Sequence, residues 1–146
     1  MSGQRIDPYK NYNFLVEIAG VTTAGFSSCV IPDSSVEVIE YREGSDNVAG
    51  VRKLPGRVKY SNLVLKRGLT NSLDLWNWYK SAATGLATRT QVMVTLLDDT
   101  RTPVMKWVFS NAWPTKYEGS PLQGKGNEVA IETLEIAHEG MDLSST

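Results

Sequence analysis

The chain has 146 residues, a formal net charge of -1, 41% hydrophobic residues and 21% charged ones, which suits one folded domain and excludes a disordered chain. The near-neutral balance supplies no global field to recruit nucleic acid or an anionic membrane, and no apolar run approaches the ~20 residues of a membrane-spanning helix. A single cysteine, Cys29, excludes an intrachain disulfide framework.

Residues 1–12 read as an extended N-terminal arm of a domain that takes in the whole chain, 1–146. The opening Met1-Ser2-Gly3-Gln4-Arg5-Ile6-Asp7-Pro8 lacks the apolar centre of a secretory signal. Synthesis and assembly in a cytoplasm, bacterial or archaeal, are expected, with exit only by lysis or inside a larger particle. Asn13–Ile18 alternates, with Phe14, Val16 and Ile18 on one face, which predicts a strand. Pro32 closes the segment Phe26–Ile31, and Val36–Tyr41 alternates again. The polar stretch Arg42–Gly56 reads as a long loop, and a third strand is expected through Val58–Arg67.

One segment has helical spacing. Leu75, Trp78, Tyr79 and Ala82 recur on one face, Thr70 or Ser72 could cap the N-terminus, Asp74 suits its positive dipole end, and Gly85 could stop the helix. Trp76 and Trp78 cannot share that face. One belongs to the core, and the other either lies under a loop or sits at a subunit contact. Strands resume at Gln91–Leu97 and Pro103–Asn111, joined by turn chemistry at Asp98–Thr102. A last strand occupies Glu128–His138 after a Gly- and Pro-marked loop. The fold class is therefore mainly β, an antiparallel sandwich or barrel of about six strands with one α-helix.

Catalytic chemistry finds little to work with. His138 is the only histidine, and no nucleophile signature accompanies it. One Cys and one His cannot make a zinc site of the usual kind. Asp98-Asp99 reads as a turn rather than a catalytic pair. Gly119–Gly126 has the spacing of a phosphate-binding loop, but its last position is Gly126 where a magnesium-holding hydroxyl is needed, and a strand follows where a helix should. No catalytic, cofactor or metal residues are expected. Arg52, Lys53, Arg57, Lys59, Lys66 and Arg67 form a basic cluster, but Glu37, Glu40, Glu43 and Asp46 lie just upstream. That arrangement favours docking between copies of the chain over a phosphate backbone.

An ordered series of segments carries a family resemblance. Phe14-Leu15-Val16-Glu17-Ile18 leads to Gly25-Phe26-Ser27-Ser28, then Val38-Ile39-Glu40-Tyr41-Arg42-Glu43-Gly44 and Lys53-Leu54-Pro55-Gly56. Leu65-Lys66-Arg67-Gly68, Leu75-Trp76-Asn77-Trp78 and Asn111-Ala112-Trp113-Pro114 complete it. From Phe14 to about Leu143 the chain resembles the tail tube proteins of the T4-like phage family, in particular the inner-tube subunits of contractile injection systems. The resemblance implies a tail-tube or type VI tube-like fold and a hexameric ring. Stacked rings would form a hollow tube inside a contractile sheath, which drives it through a target envelope. Implied partners are further copies of the chain, the sheath protein, baseplate or spike and terminator proteins, and cargo in the lumen. A type VI-like effector carrier and a monomeric ligand-binding β-barrel are the alternatives. One departure from the family is Cys29-Val30-Ile31-Pro32, where a Val-Ser-Gly-Leu-like stretch is common.

In such a tube the stretch 42–56 would reach the next ring, through Glu43, Gly44, Asp46, Asn47, Arg52, Lys53, Pro55 and Gly56. Its length without structure of its own argues for a function. Glu17, Glu37, Glu40, Glu132 and Glu135, with Lys59, Lys66 and Arg67, are candidates for the lumen or the subunit interface, since one face of the alternating strands must meet water or a neighbour.

Overall fold

Inward-facing apolar residues at every second position build the framework of the molecule. The computed structural model describes residues 8–10, 13–42, 50–85, 89–126 and 129–145. In β1 (Phe14–Ile18) Val16 and Ile18 are buried, and they stand opposite Val94 and Val92 of β7 (Thr90–Leu97). In β6 (Leu63–Gly68) and β9 (Ile131–Ala137) the same rule buries Leu63, Leu65, Leu134 and Ile136. Each such side chain contributes roughly 1.5–3 kcal/mol by leaving water. Together with Phe109 they form one continuous core.

The described residues contain ten strands and one helix, not six strands. The remaining strands are β2 (Thr22–Ala24), β3 (Ser28–Val30), β4 (Ser34–Tyr41), β5 (Arg52–Tyr60), β8 (Pro103–Gly119) and β10 (Gly140–Ser145). An antiparallel sheet runs β2-β1-β7-β8-β9-β6-β3, with β10 added on β8, while β4 and β5 form a separate two-stranded sheet. The long β8 joins both halves of the main sheet. Its first part pairs with β7 and β10, and its second part pairs with β9 from Trp113 onward. Asn111 has a φ of 51° at the junction, and its amide donates to Glu139 Oε2 at 2.9 Å.

The extra strands have identifiable causes. β2 and β3 are three residues long, too short to show a period. The expected strand Val58–Arg67 is broken at Ser61-Asn62, so β5 and β6 belong to different sheets. β8 continues through the expected loop start at Tyr117, with Pro114 opposite Ile136 beside a shift in register with β9. β10 is held by backbone pairing to β8 and carries little β-forming sequence.

The helix α1 (Asp74–Ala83) packs against β8 with Leu75 and Trp78 buried. Neither Thr70 nor Ser72 caps it: the N-cap position is Leu73, without a side-chain bond, and Asp74 Oδ1 takes the Leu75 N–H at 2.8 Å. Gly85 ends it at a φ of 79°, the left-handed conformation expected of a stop residue. Asp98 is a turn residue, as expected. Its Oδ1 accepts from the N–H groups of Thr100 and Thr102, each at 2.9 Å, and from the Thr100 hydroxyl. These bonds, the Thr100 hydroxyl first, hold its carboxyl below the usual range.

Candidate assembly surface

The β4–β5 hairpin carries apolar side chains that the rest of the subunit leaves uncovered. All of β4 is exposed, and so is β5 apart from Gly56 and Tyr60, which are half-buried. Val38 is 60% exposed, Ile39 47% and Leu54 46%. Val36 pairs with Val58 and Val38 with Pro55, so Gly56 and Arg57 bulge opposite Glu37. A Cβ on Gly56 would lie 2.8 Å from Ile39 Cδ1 and 3.2 Å from the Glu37 carbonyl oxygen, which is why glycine stands there.

Side chains alternate along β4, so both faces of the hairpin have an apolar centre. Val36, Val38 and Val58 share one face with the Glu40–Lys53 cross-strand pair, and Ile39 and Leu54 occupy the other with Tyr41. A lone two-stranded hairpin is marginal in water, and this one exposes apolar surface on both sides. Strand edges of this kind also serve as templates for a partner.

The expected loop 42–56 is thus corrected. Arg52, Lys53, Pro55 and Gly56 lie in β5, and the connection between the two strands spans only 42–51. The turn-like Pro55-Gly56 is accommodated in a strand because each strand of a two-stranded sheet is an edge. Glu43, Gly44, Asp46 and Asn47 lie outside the described residues, as do residues 1–7 and 11–12 of the expected N-terminal arm. Exposed apolar residues on both faces of one strand are the signal that would have found the hairpin in the sequence: Val36 and Val38 alternate with Ile39 and Tyr41 out of phase.

Among the lumen and interface candidates, Glu37, Glu40 and Lys59 are exposed on the hairpin, and Glu17 is exposed on β1. Lys66 and Glu135 share the outward face of the β6–β9–β8 layer with Lys116, Thr133 and Glu118. Arg67 and Glu132 are corrected. They are 8% and 2% exposed and point into the subunit, directly opposite each other across β6 and β9. Arg67 Nε donates to Glu132 Oε1 at 2.5 Å, its two terminal nitrogens donate to Asp74 of α1, and its guanidinium lies 5.6 Å from the centre of the Phe26 ring. The Tyr117 hydroxyl donates to Glu132 Oε2 at 2.7 Å. Burial first, and then the bond to Glu132, push the Tyr117 phenol up to about 12. Both charges belong to inward-facing rows, Leu63-Leu65-Arg67 and Glu132-Leu134-Ile136, and the sequence pattern could have placed them there.

The helix separates the two tryptophans. Trp78 is in the core, while Trp76 is partly exposed beside the rings of Tyr117, at 5.1 Å, and Tyr79, at 5.8 Å. The basic residues Arg52, Lys53, Arg57 and Lys59 share the hairpin with Glu37 and Glu40, and Lys53 stands directly opposite Glu40. Burial pushes the Cys29 thiol up to about 12, a poor nucleophile at neutral pH. The phosphate-loop lookalike joins β8 to β9, two strands. Among the described residues no group of His, Cys, Asp and Glu could hold a metal ion, and no helix is long and apolar enough to cross a membrane.

The fold and surface can be set beside known proteins. No curated protein matches the chain. A chain of the PVC extracellular contractile injection system, from its sheath–tube complex in the extended state, is similar at 25% identity with a TM-score of 0.84, covering 95% of this chain and 93% of that one. A chain from the six-fold symmetrised anti-feeding prophage baseplate is similar at 26% identity with a TM-score of 0.82, covering 96% and 97%. Hcp1 from Flavobacterium johnsoniae shares the fold at 15% identity and a TM-score of 0.57, covering 91% and 95%. The family described as T4-like virus tail tube protein gp19 matches residues 10–142, and the chain therefore belongs to this family of structural tail tube proteins.

Proposed function

We propose that the chain forms homohexameric rings that stack into the hollow inner tube of a contractile injection apparatus, with the β4–β5 hairpin as the contact from one ring to the next. The observation that carries this reading is the hairpin itself: eight exposed residues of β4, apolar on both faces, in a sheet separate from the core. Such a surface is stable when another copy covers it, and a head-to-tail contact repeated along an axis generates an open filament. Family membership and the likeness to a sheath–tube complex support a tube in particular. The likeness to a six-fold symmetrised assembly supports the ring number. The greater similarity to these particles than to Hcp1, in both identity and TM-score, favours a contractile particle over a type VI-like carrier.

In this reading the sheath surrounds the tube, baseplate or spike and terminator proteins close its ends, and cargo occupies the lumen. Lys66 and Glu135, on a mixed-charge outward face, are suited to a hydrophilic lumen. The tube assembles in the cytoplasm and acts as part of a released particle, without membrane insertion by the monomer and without specific nucleic-acid binding.

Replacing Ile39 and Leu54 together by threonine tests the contact. Subunit stability is expected to change by no more than about 1 kcal/mol, since both side chains are only about half covered in the subunit. Negative-stain images of the wild-type protein should show tubes or rings about a hundred ångströms across, the size expected for six such domains around a lumen. The variant should give no tubes. Wild-type-like tubes from a folded variant would exclude the hairpin as the stacking contact.

A further inference from the structure

The hairpin leaves the main sheet at one narrow root, and a single imidazole is bonded into it. On one side of the root the backbone N–H of Asp33 donates to the Ser61 hydroxyl at 2.7 Å, and the Ser61 N–H donates to the Asp33 carbonyl at 3.1 Å. These two bonds clasp the residue before β4 to the residue after β5. The Ser61 carbonyl faces the other way, 3.0 Å from His138 Nε2, while His138 Nδ1 lies 3.2 Å from the Gly140 carbonyl. The ring also packs on Tyr60, the last residue of β5, at 5.4 Å, and on Phe109 of the core at 5.1 Å. His138 therefore connects the hairpin root to β8 and to the turn between β9 and β10.

Both ring nitrogens face carbonyl oxygens, which only accept. A neutral imidazole has one N–H and can satisfy one of them, while the other nitrogen directs a lone pair at a lone pair. The imidazolium has two N–H groups and satisfies both. From this geometry we propose that His138 is a protonation-dependent latch: its charged form ties the hairpin root to the main sheet, and its neutral form releases one of the two ties. The ring is half-buried, so protons can reach it.

The other titratable groups at this corner are already committed. Glu139, on the same turn, is paired with Arg89 and Asn111. Glu135 of β9 accepts from the Asn62 amide at 2.9 Å, and the Tyr60 phenol belongs to the ring that packs on the imidazole. Asp33 reaches the root through its backbone. The stabilisation is present when His138 is charged and is lost as the imidazolium gives up its proton.

The latch is a property of the dispersed subunit; only its consequence for assembly rests on the hairpin being the stacking contact. His138 is the only histidine, so its ring nitrogens can be followed by ¹⁵N NMR in the wild-type chain without assignment. Amide hydrogen exchange at Ser61 and Asn62, corrected for intrinsic rates, should slow on the order of tenfold when the ring is charged, with the same midpoint as the ring titration. In His138→Gln that dependence should vanish. Exchange at the root that is flat with pH, or that titrates at a midpoint other than that of the ring, overturns the latch; so does an unchanged profile in a folded His138→Gln. Should that variant not fold, the wild-type comparison of midpoints decides alone. Where the latch is found, tube yield on either side of the midpoint measured for the ring tests the other claim: a yield that follows the latch supports the hairpin contact, and an indifferent yield counts against the contact while leaving the latch in place.

Discussion

Two cross-strand pairings of opposite charge in this molecule look alike in sequence and differ in what they do. Glu40 stands opposite Lys53 in the hairpin, and Arg67 stands opposite Glu132 in the main sheet. Both are opposite charges at directly facing positions of antiparallel strands, a favourable arrangement on any sheet. The hairpin pair is in water on an exposed surface. The main-sheet pair is sealed beneath α1: Glu132 of β9, Asp74 of α1 and Phe26 meet at one guanidinium, and Tyr117 of β8 joins through Glu132. The same residue chemistry thus lies on a solvated surface in one place and holds the helix in the other, and burial makes the difference.

The largest effect is expected from breaking the main-sheet pair. Arg67→Ala leaves Glu132 charged and buried without its partner, and should cost about 3–5 kcal/mol in denaturant unfolding. Adding Glu132→Leu to Arg67→Met should recover much of that loss, because the unpaired charge is then gone. If the double variant is as unstable as Arg67→Ala, the pair acts through packing rather than charge. A smaller effect is expected for Tyr117→Phe, which removes one donor to Glu132 and should cost about 1–2 kcal/mol.

The alkaline range sharpens that second case. The Tyr117 phenol is pushed up to about 12 in the folded chain, chiefly by burial, against an ordinary value near ~10. A raised value means the folded state holds its proton longer. The contribution is therefore intact below about pH 10 and is lost as the pH rises through about 12. The stability gap between wild type and Tyr117→Phe should narrow over that window, and a constant gap would show that the phenol is not the titrating group. The smallest effect belongs to the hairpin pair: Lys53→Ala should change subunit stability by no more than about 0.5 kcal/mol. Any assembly defect it shows would then report on contacts between copies.

Much of the framework was legible as local pattern. Phe14, Val16 and Ile18 alternate with residues that tolerate water, Asp98 is followed by the donors its carboxylate needs, and Gly85 stands where a helix must stop. Arg67 and Glu132 were legible in principle as charges lying on apolar rows, yet they were read as water-facing because a charged residue on a strand is usually solvated. The connection 42–56 was misread for a different reason: Pro55-Gly56 is turn chemistry inside a long sheet and becomes admissible in a two-stranded one.

The sequence alone determined the mainly β class, the single helix, the turn at Asp98 and, through its ordered segments, the tail tube family. Each of these depends on neighbours within a few residues or on a series that keeps its order along the chain. Only the tertiary structure decided that the chain breaks at Ser61-Asn62, that β5 leaves the sheet while β6 stays in it, that β10 closes on β8, and that Arg67 finds Glu132 and Asp74. Those outcomes depend on which strand edges and which buried charges meet across long separations, and strand periodicity, identical for an inward row and an outward one, carries no record of the partner.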